Sequence, residues 1–349
     1  MQSLRYPVKP VPGDKVAIVS PSGGLPEILP LPFELGLRRL REEFGLVPVE
    51  YPTTRVLAST PAARAADLHA AFADPEIKAV ICSIGGEDQL TVLPQLDPEL
   101  LRTHPKPFFG YSDATNLLTY LHSLGIVGYH GGAVMCQFGR AGAMHPVSRD
   151  SLRAALFGSG AEPFELVENA EFGDVDVPWD DAEALRHEPP MTPSAGWGWV
   201  RPDRVVDGPS WGGNVEVLSW IAMADPDFGE RVPHTGGVLL LETSEELPSA
   251  DEIHRILRSF GERGLLRRFD AALIGRAKAW ALDRRLSPEA SAEYRTAQRV
   301  AVERAFAAYN PDAMLVFDVE FGHTEPQVVL PYGGRIRVDG PAGRITVWY

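Results

Sequence analysis

Apolar and polar positions change in regular blocks along residues 1 to 150, and the blocks predict strands and helices in turn. Two apolar runs, DKVAIVSPSG and KAVICSIGG, end in Gly, Pro or Ser, as buried strands followed by loops do. Two further segments, FELGLRRLREEFG and TPAARAADLHAAFADP, have helical patterns, and Thr60 followed by Pro61 predicts a helix start. This alternation predicts an α/β layered domain.

The pattern changes after residue 157. Residues 158–208 are rich in Pro, Gly and acidic residues and have no long periodic element, so they predict a connector with some short strands. Helix and strand patterns then return, and Gly-separated short strands close the chain. We therefore expect an N-terminal domain at 1–157, a connector at 158–208, and a second α/β domain with a β-rich tail at 209–349.

The composition is that of a soluble globular protein, since 44% of the 349 residues are hydrophobic and 23% are charged. The formal net charge of -14 argues against a nucleic-acid polymer as partner, because phosphate backbones bind to basic faces. The N-terminus lacks the pattern of a signal peptide, and no apolar run reaches the roughly 20 residues that span a bilayer. We expect a cytoplasmic protein that does not bind membranes.

Four groups of polar residues follow apolar strands and are the candidates for chemistry. They are IGGED at 84–88, GYSDA at 110–114, ETSEE at 242–246 and GHTEP at 322–326. Ligands of open α/β sheets bind at the carboxyl ends of the strands. Ser, Glu and His at three such ends therefore carry more weight together than any one of them alone.

Ser112 has two interpretations that the sequence leaves open. It lies in Gly-x-Ser-x-Ala between a strand and a helix, close to the Gly-x-Ser-x-Gly turn that exposes a nucleophile. A helix N-terminus beside the hydroxyl would favour developing negative charge. Ser and Asp are also ordinary helix caps, and the stretch taken alone favours a cap by Ser112 or Asp113.

A histidine and a glutamate could complete a catalytic set with the serine. Imidazole is the usual base for a serine hydroxyl, and His130 competes with His323 for that role. Glu242 ends the apolar run GVLLLE, so its carboxylate needs a buried partner, either a histidine or an arginine. Glu245 and Glu246 are interpreted as the solvated start of the next helix.

Other candidate binding groups are less specific. Gly85 and Gly86 could offer N–H groups to an oxyanion or a phosphate, or could only make a turn. The sequence has neither a Walker-type loop nor metal-ligand spacing, so we expect no cofactor and no metal. Trp197 and Trp199 lie in the connector, where they could fill the core or stack on a flat ligand, and both interpretations stay open.

Six motifs together resemble the serine LD-carboxypeptidase family, which includes murein tetrapeptide carboxypeptidases and microcin C self-immunity peptidases. They are PGDKVAIVSPSG, SIGGED, FFGYSDATNLL, WGGNVEVLSWI, LLLETSEE and GHTEPQVVLPYG, in the family's order along nearly the whole chain. The resemblance implies an N-terminal flavodoxin-like domain with the serine and a C-terminal domain with the glutamate and the histidine. It also implies a site in the cleft between the domains, no metal, and a homodimer.

The resemblance assigns roles to particular residues. It implies a triad of Ser112, Glu242 and His323, with the N–H groups of Gly86 and Asp113 as the oxyanion hole. The implied reaction is hydrolysis of an amide bond in a small peptide or in a peptidyl- or aminoacyl-nucleotide.

The stretches TSEE, HTEP and GWGWV resemble the microcin-immunity branch more than the murein branch. In that branch a loop tryptophan stacks on adenine, which makes Trp197 or Trp199 the candidate here. Glu87 and Asp88 depart from the family, where Asn, Ser or Tyr follow the glycine pair. As substrate-binding residues, these two acids weigh against an anionic substrate tail. A murein tetrapeptide LD-carboxypeptidase and a non-catalytic ligand-binding module are the alternative functions.

Overall fold

Two sheets with parallel strands at their centres organise the chain in the computed structural model, which describes residues 4–233 and 236–349. The strands are β1 Lys15–Val19, β2 Val47–Glu50, β3 Ile77–Cys82, β4 Phe108–Gly110, β5 Gly128–His130, β6 Phe164–Glu165, β7 Glu171–Phe172, β8 Thr192–Pro193, β9 Gly198–Val200, β10 Val205–Asn214, β11 Val238–Glu242, β12 Ala271–Gly275, β13 Met314–Val319, β14 Leu330–Tyr332, β15 Arg335–Asp339 and β16 Arg344–Val347.

Helices connect and cover these strands. They are α1 Pro30–Glu42, α2 Pro61–Ala73, α3 Pro98–Thr103, α4 Thr115–Ser123, α5 Pro146–Phe157, α6 Val215–Ala224, α7 Phe228–Arg231, α8 Ala250–Glu262 and α9 Pro288–Tyr309. Thr60 Oγ1 accepts a hydrogen bond from Ala63 N at 3.2 Å, so the predicted start of α2 is confirmed. In the described ranges, every helix is too short or too polar to cross a membrane.

The first sheet has the strand order β2-β1-β3-β4-β5, all parallel, with β14 paired antiparallel to β5 at one edge. This is the flavodoxin-like order, which confirms the predicted fold class. Such a sheet is covered on both faces, and β3 is accordingly buried along its length except at Lys78.

The second sheet has the order β6-β16-β15-β10-β11-β12-β13-β9. Strands β10 to β13 are parallel, and the strands on either side of them are antiparallel. All five residues of the central strand β11 are buried, as its uninterrupted apolar run predicts. Strands β6 and β9 come from the connector and form the two edges, so this segment takes part in the second sheet.

The two sheets meet where α4 follows β4 and β10 leads into α6. Asn214 N, at the end of β10, donates to Thr115 Oγ1 of α4 at 3.2 Å, and this contact is buried. Further along α4, Thr119 Oγ1 lies 3.0 Å from the hydroxyl oxygen of Tyr332 on β14 of the first sheet. All four polar groups that follow apolar strands contribute residues to one cleft at this junction.

Candidate active site

Ser112 lies on a sharp turn between β4 and α4. The strand ends at Gly110, Ser112 has a φ of 59°, and a 3-10 turn over Ser112–Ala114 leads into the helix. A left-handed backbone at a residue other than glycine is strained and is found mostly at functional positions. Among the described side chains none caps this turn or α4, so the Ser112 hydroxyl does not serve as the helix cap.

Asp113 has a structural role beside Ser112. Its fully buried carboxylate accepts hydrogen bonds from Gln89 N at 2.9 Å and from Asn116 Nδ2 at 2.7 Å. Burial raises the pKa of this carboxyl group. Gln89 Oε1 in turn accepts from Leu117 N at 2.9 Å. These bonds hold the loop after β3 against the start of α4.

The glycine pair of that loop lies close to the serine. A Cβ on Gly85 would lie 2.9 Å from Ser112 Cβ and 3.1 Å from Ser112 Oγ, so only glycine allows this approach. The N–H groups of Gly86 and Asp113 make no turn, loop or cap hydrogen bond in the described chain. Backbone donors without partners near a hydroxyl are what an oxyanion hole requires.

Glu242 and His323 form a buried hydrogen-bonded pair. Glu242 ends β11, His323 lies in the loop after β13, and His323 Nδ1 lies 2.7 Å from Glu242 Oε2. Gly322 has a φ of 97°, and a Cβ on it would lie 2.9 Å from the same carboxylate oxygen. Burial alone would raise the pKa of Glu242, but the imidazole of His323 overcomes this effect and holds the pKa below its ordinary value.

The other ring nitrogen of His323 faces a second carboxylate. His323 Nε2 lies 3.0 Å from Glu245 Oε2, and within the described residues His323 makes no hydrogen bond to Ser112. Burial opposes the charged imidazole, but the carboxylates of Glu242 and Glu245 together raise the pKa of His323 well above its ordinary value. The interpretation of Glu245 as the start of a helix is wrong, because α8 begins only at Ala250.

His130, the competing candidate base, is fully buried behind the pair rather than in the cleft lining. Its Nε2 lies 4.0 Å from Glu242 Oε1, the carboxylate oxygen that does not face His323. Burial lowers the pKa of His130 to about 4, so its ring is neutral at physiological pH. A neutral histidine shut off from the cleft is poorly placed to meet substrate.

The cleft that contains Ser112 and His323 has a volume of about 590 Å³. One wall is apolar and includes the side chain of Trp179, which is half-buried on the connector. Arg140 and Lys278 also line the cleft, and each pairs with a carboxylate that lines it too. Arg140 Nε lies 2.5 Å from Glu325 Oε2, and Lys278 Nζ lies 2.6 Å from Asp176 Oδ1.

The four predicted substrate-binding side chains lie elsewhere. Trp197 and Trp199 are not in the cleft lining, and Trp197 Nε1 donates to Glu320 Oε2 at 2.6 Å. Asp88 is bound by Arg64, and Glu87 is exposed outside the lining. Among the described residues, no group of three His, Cys, Asp or Glu side chains could hold a metal ion.

Comparison with known proteins agrees with this architecture. Residues 16–131 match the LD-carboxypeptidase N-terminal domain, and residues 207–338 match the LD-carboxypeptidase C-terminal domain. The microcin C7 self-immunity protein MccF of Escherichia coli is 25% identical over 81% of this chain and 77% of its own. The murein tetrapeptide carboxypeptidase of Pseudomonas aeruginosa is 42% identical, but only over 22% of this chain and 25% of its own.

A solved structure of MccF in complex with aspartyl sulfamoyl adenosine has the same fold. It superposes with a TM-score of 0.81 at 21% identity and covers 99% of this chain and 98% of that chain. The two domain matches together extend over most of the sequence, in the order that the six motifs predicted. The chain therefore belongs to the LD-carboxypeptidase family and is a serine-type hydrolase.

Proposed function

We propose that this protein hydrolyses an amide bond in an aminoacyl- or peptidyl-nucleotide, with Ser112 as nucleophile, His323 as base and Glu242 as the residue that orients the base. One observation carries the proposal. His323 lines the cleft that also contains the strained turn at Ser112, and a 2.7 Å hydrogen bond joins its Nδ1 to Glu242, which is buried behind it. A histidine held through Nδ1 by a carboxylate presents Nε2 for proton transfer.

The reaction runs in two steps. His323 Nε2 takes the proton from Ser112 Oγ, which attacks the carbonyl carbon, and the N–H groups of Gly86 and Asp113 stabilise the oxyanion. The tetrahedral intermediate collapses as His323 returns the proton to the leaving amine. Water, activated by the same imidazole, then releases the acyl group from the serine. For this chemistry His323 Nε2 has to exchange its contact with Glu245 for one with Ser112 Oγ, and catalytic hydrogen bonds commonly form only when the substrate binds.

The walls of the cleft support a substrate with a flat apolar part. A volume of about 590 Å³ suits a small ligand, and the indole of Trp179 offers a stacking surface for a base. Trp179 replaces Trp197 and Trp199 as the candidate for this contact, because it lines the cleft. The solved complex of MccF with aspartyl sulfamoyl adenosine shows that a protein of this fold takes such a molecule.

A murein tetrapeptide is the alternative substrate, favoured by the local identity with the Pseudomonas aeruginosa enzyme. Its free carboxylates would need cationic partners. Arg140 and Lys278, the Arg and Lys side chains that line the cleft, are already paired with Glu325 and Asp176. This pairing favours the nucleotide conjugate. The homodimer and the cytoplasmic location that the sequence led us to expect stay predictions.

The test is to incubate the purified protein with alanyl sulfamoyl adenosine and, separately, with a murein tetrapeptide, and to identify the products by mass spectrometry. We expect the nucleotide conjugate to be cleaved into alanine and sulfamoyl adenosine. Ser112→Ala should abolish this cleavage without lowering the melting temperature. Turnover by folded Ser112→Ala protein would contradict the proposed nucleophile, and cleavage of the tetrapeptide alone would establish the alternative substrate.

A further inference from the structure

Glu245 contacts Nε2 of His323, the ring nitrogen that has to accept the serine proton in the proposed reaction. Its Oε2 lies 3.0 Å from His323 Nε2, while Glu242 holds Nδ1 on the opposite side of the ring. An imidazole bracketed by two carboxylates is stabilised as the imidazolium cation, which cannot accept a proton from Ser112. The resting arrangement is therefore closed to catalysis until Glu245 leaves Nε2.

Glu245 is free to leave without disturbing the core. It lies on the loop between β11 and α8, and its side chain is 55% exposed, whereas the Glu242 side chain is 1% exposed. Only one of the two carboxylates is thus fixed. The exposed one lines the substrate cleft.

Among the described residues, the basic side chains that line the cleft are paired with carboxylates other than Glu245. Within the described chain, neither Arg nor Lys forms an ion pair with Glu245 or with Asp180, a second carboxylate of the lining. The two basic residues that line the cleft, Arg140 and Lys278, are held by Glu325 and Asp176. A cation that arrives with the substrate is the complementary group.

We propose that Glu245 binds an ammonium group on the acyl part of the substrate, beside the scissile carbonyl, and thereby releases His323 Nε2 to Ser112. When the carboxylate turns to the ammonium, the imidazolium loses one of its two stabilising charges and its Nε2 proton passes to water. The neutral ring then accepts the proton of the Ser112 hydroxyl. This inference rests on the proposed function and adds its substrate class, which is an acyl donor with a free amine.

Several titratable or charged groups surround His323. They are Glu242 at the end of β11, Glu245 on the following loop, the ring of Tyr111 after β4 at 5.1 Å, His130 on β5, and Lys278 after β12, which acts through Glu245. Glu245 is the exposed carboxylate in direct contact with the ring, so a single neutral replacement there isolates its effect.

The experiment compares wild-type protein with Glu245→Gln on alanyl sulfamoyl adenosine and on its N-acetyl form, which lacks the ammonium. We expect wild-type kcat/KM at pH 7 to favour the free amine by at least about tenfold, the effect of one charged hydrogen bond. In Glu245→Gln the ratio of kcat/KM for the free amine to kcat/KM for the N-acetyl form should fall toward one, because KM for the free amine rises. The acid limb of kcat/KM for the N-acetyl substrate should also move to lower pH.

Glu252→Gln is the matched control, because it neutralises an exposed glutamate on α8 outside the cleft lining and should behave as wild type. An unchanged preference in Glu245→Gln would overturn the proposal, even if the pH limb moved. An equal loss of activity on the free-amine and the N-acetyl substrate would also overturn it, since Glu245 would then not distinguish the ammonium from the acetylated nitrogen. Failure of the proposed function is distinct, because wild-type protein would then cleave neither substrate.

Discussion

Glu242 Oε1 lies 4.0 Å from His130 Nε2, and neither atom has a hydrogen-bond partner among the described residues. Both side chains are buried, and a buried carboxylate oxygen without a donor is unfavourable. A neutral His130 has one N–H to offer, and Nε2 is the nitrogen near Oε1. His130 therefore faces the Glu242 oxygen that His323 does not reach, and the side chain of Asn214 also acts on this carboxylate. We expect any effect of His130 on the proposed reaction to pass through Glu242.

His130→Leu should lower kcat by about tenfold with little change in KM, because Glu242 loses a nearby donor and holds His323 less firmly. His130→Gln keeps an N–H donor and should restore most of kcat. Steady-state kinetics with the cleaved substrate measure both values, and thermal melting reports any loss of packing. If Leu and Gln variants lose the same fraction of kcat, His130 only fills space.

Glu242→Gln tests the orienting carboxylate and the pH dependence together. The amide retains the volume but not the charge, so we expect kcat to fall by about 10³- to 10⁴-fold, as for other triad carboxylates. His323 must be neutral to act as base, so wild-type kcat/KM rises with pH through the raised pKa of His323. Loss of the Glu242 charge lowers that pKa, and the acid limb should move to lower pH.

A kcat/KM profile recorded from acid to alkaline pH measures this shift, because the raised pKa of His323 places the wild-type limb above its ordinary range. The melting temperature serves as the control for folding. A limb that moves to higher pH, or a kcat close to that of wild type, would show that another group orients His323.

Local patterns predicted the fold and the positions of the main candidate residues because both depend on strands. Uninterrupted apolar runs identify buried parallel strands, and the carboxyl ends of such strands converge on one edge of a sheet. Ser112 and Glu242 each follow or end such a strand, and both come to the cleft region for that reason. The left-handed φ of Ser112 distinguishes a turn that exposes a nucleophile from an ordinary helix cap, and it is not visible in the sequence.

Glu245 and Trp179 could not be predicted, because each depends on the path of an irregular segment. The loop between β11 and α8 has no periodicity that would turn Glu245 toward His323 rather than toward solvent. The connector contains Trp179 in the acidic stretch DVDVPWDDAE and Trp197 and Trp199 in the stretch SAGWGWV, and neither stretch has a periodic pattern that would place its indoles. Pairing of β9 with β13 carries Trp199 into the second sheet, with Trp197 just before the strand, and Trp179 is left in the cleft wall.

Trp179→Ala should raise KM for an adenosine conjugate about 5- to 150-fold, the usual effect of losing one base-stacking contact. The change should spare kcat, since the indole does not contact the reacting atoms in the proposed reaction. Trp199→Ala is the matched control, because it removes an indole outside the cleft lining and should lower the melting temperature instead of raising KM. Equal KM values in the two variants would show that Trp179 does not contact the substrate.

Gly85→Ala should impair the nucleophile through steric contact alone. The new Cβ would lie 2.9 Å from Ser112 Cβ and 3.1 Å from Ser112 Oγ, closer than side chains normally pack. The serine has to shift, and a displacement of about 1 Å from the reactive geometry typically costs about 100-fold in rate. Gly23→Ala is the control, since a Cβ there meets nothing within 4 Å. We expect a low kcat in Gly85→Ala and wild-type kcat in Gly23→Ala at similar melting temperatures. A wild-type kcat in Gly85→Ala would mean that the loop after β3 yields to the methyl group and does not fix Ser112.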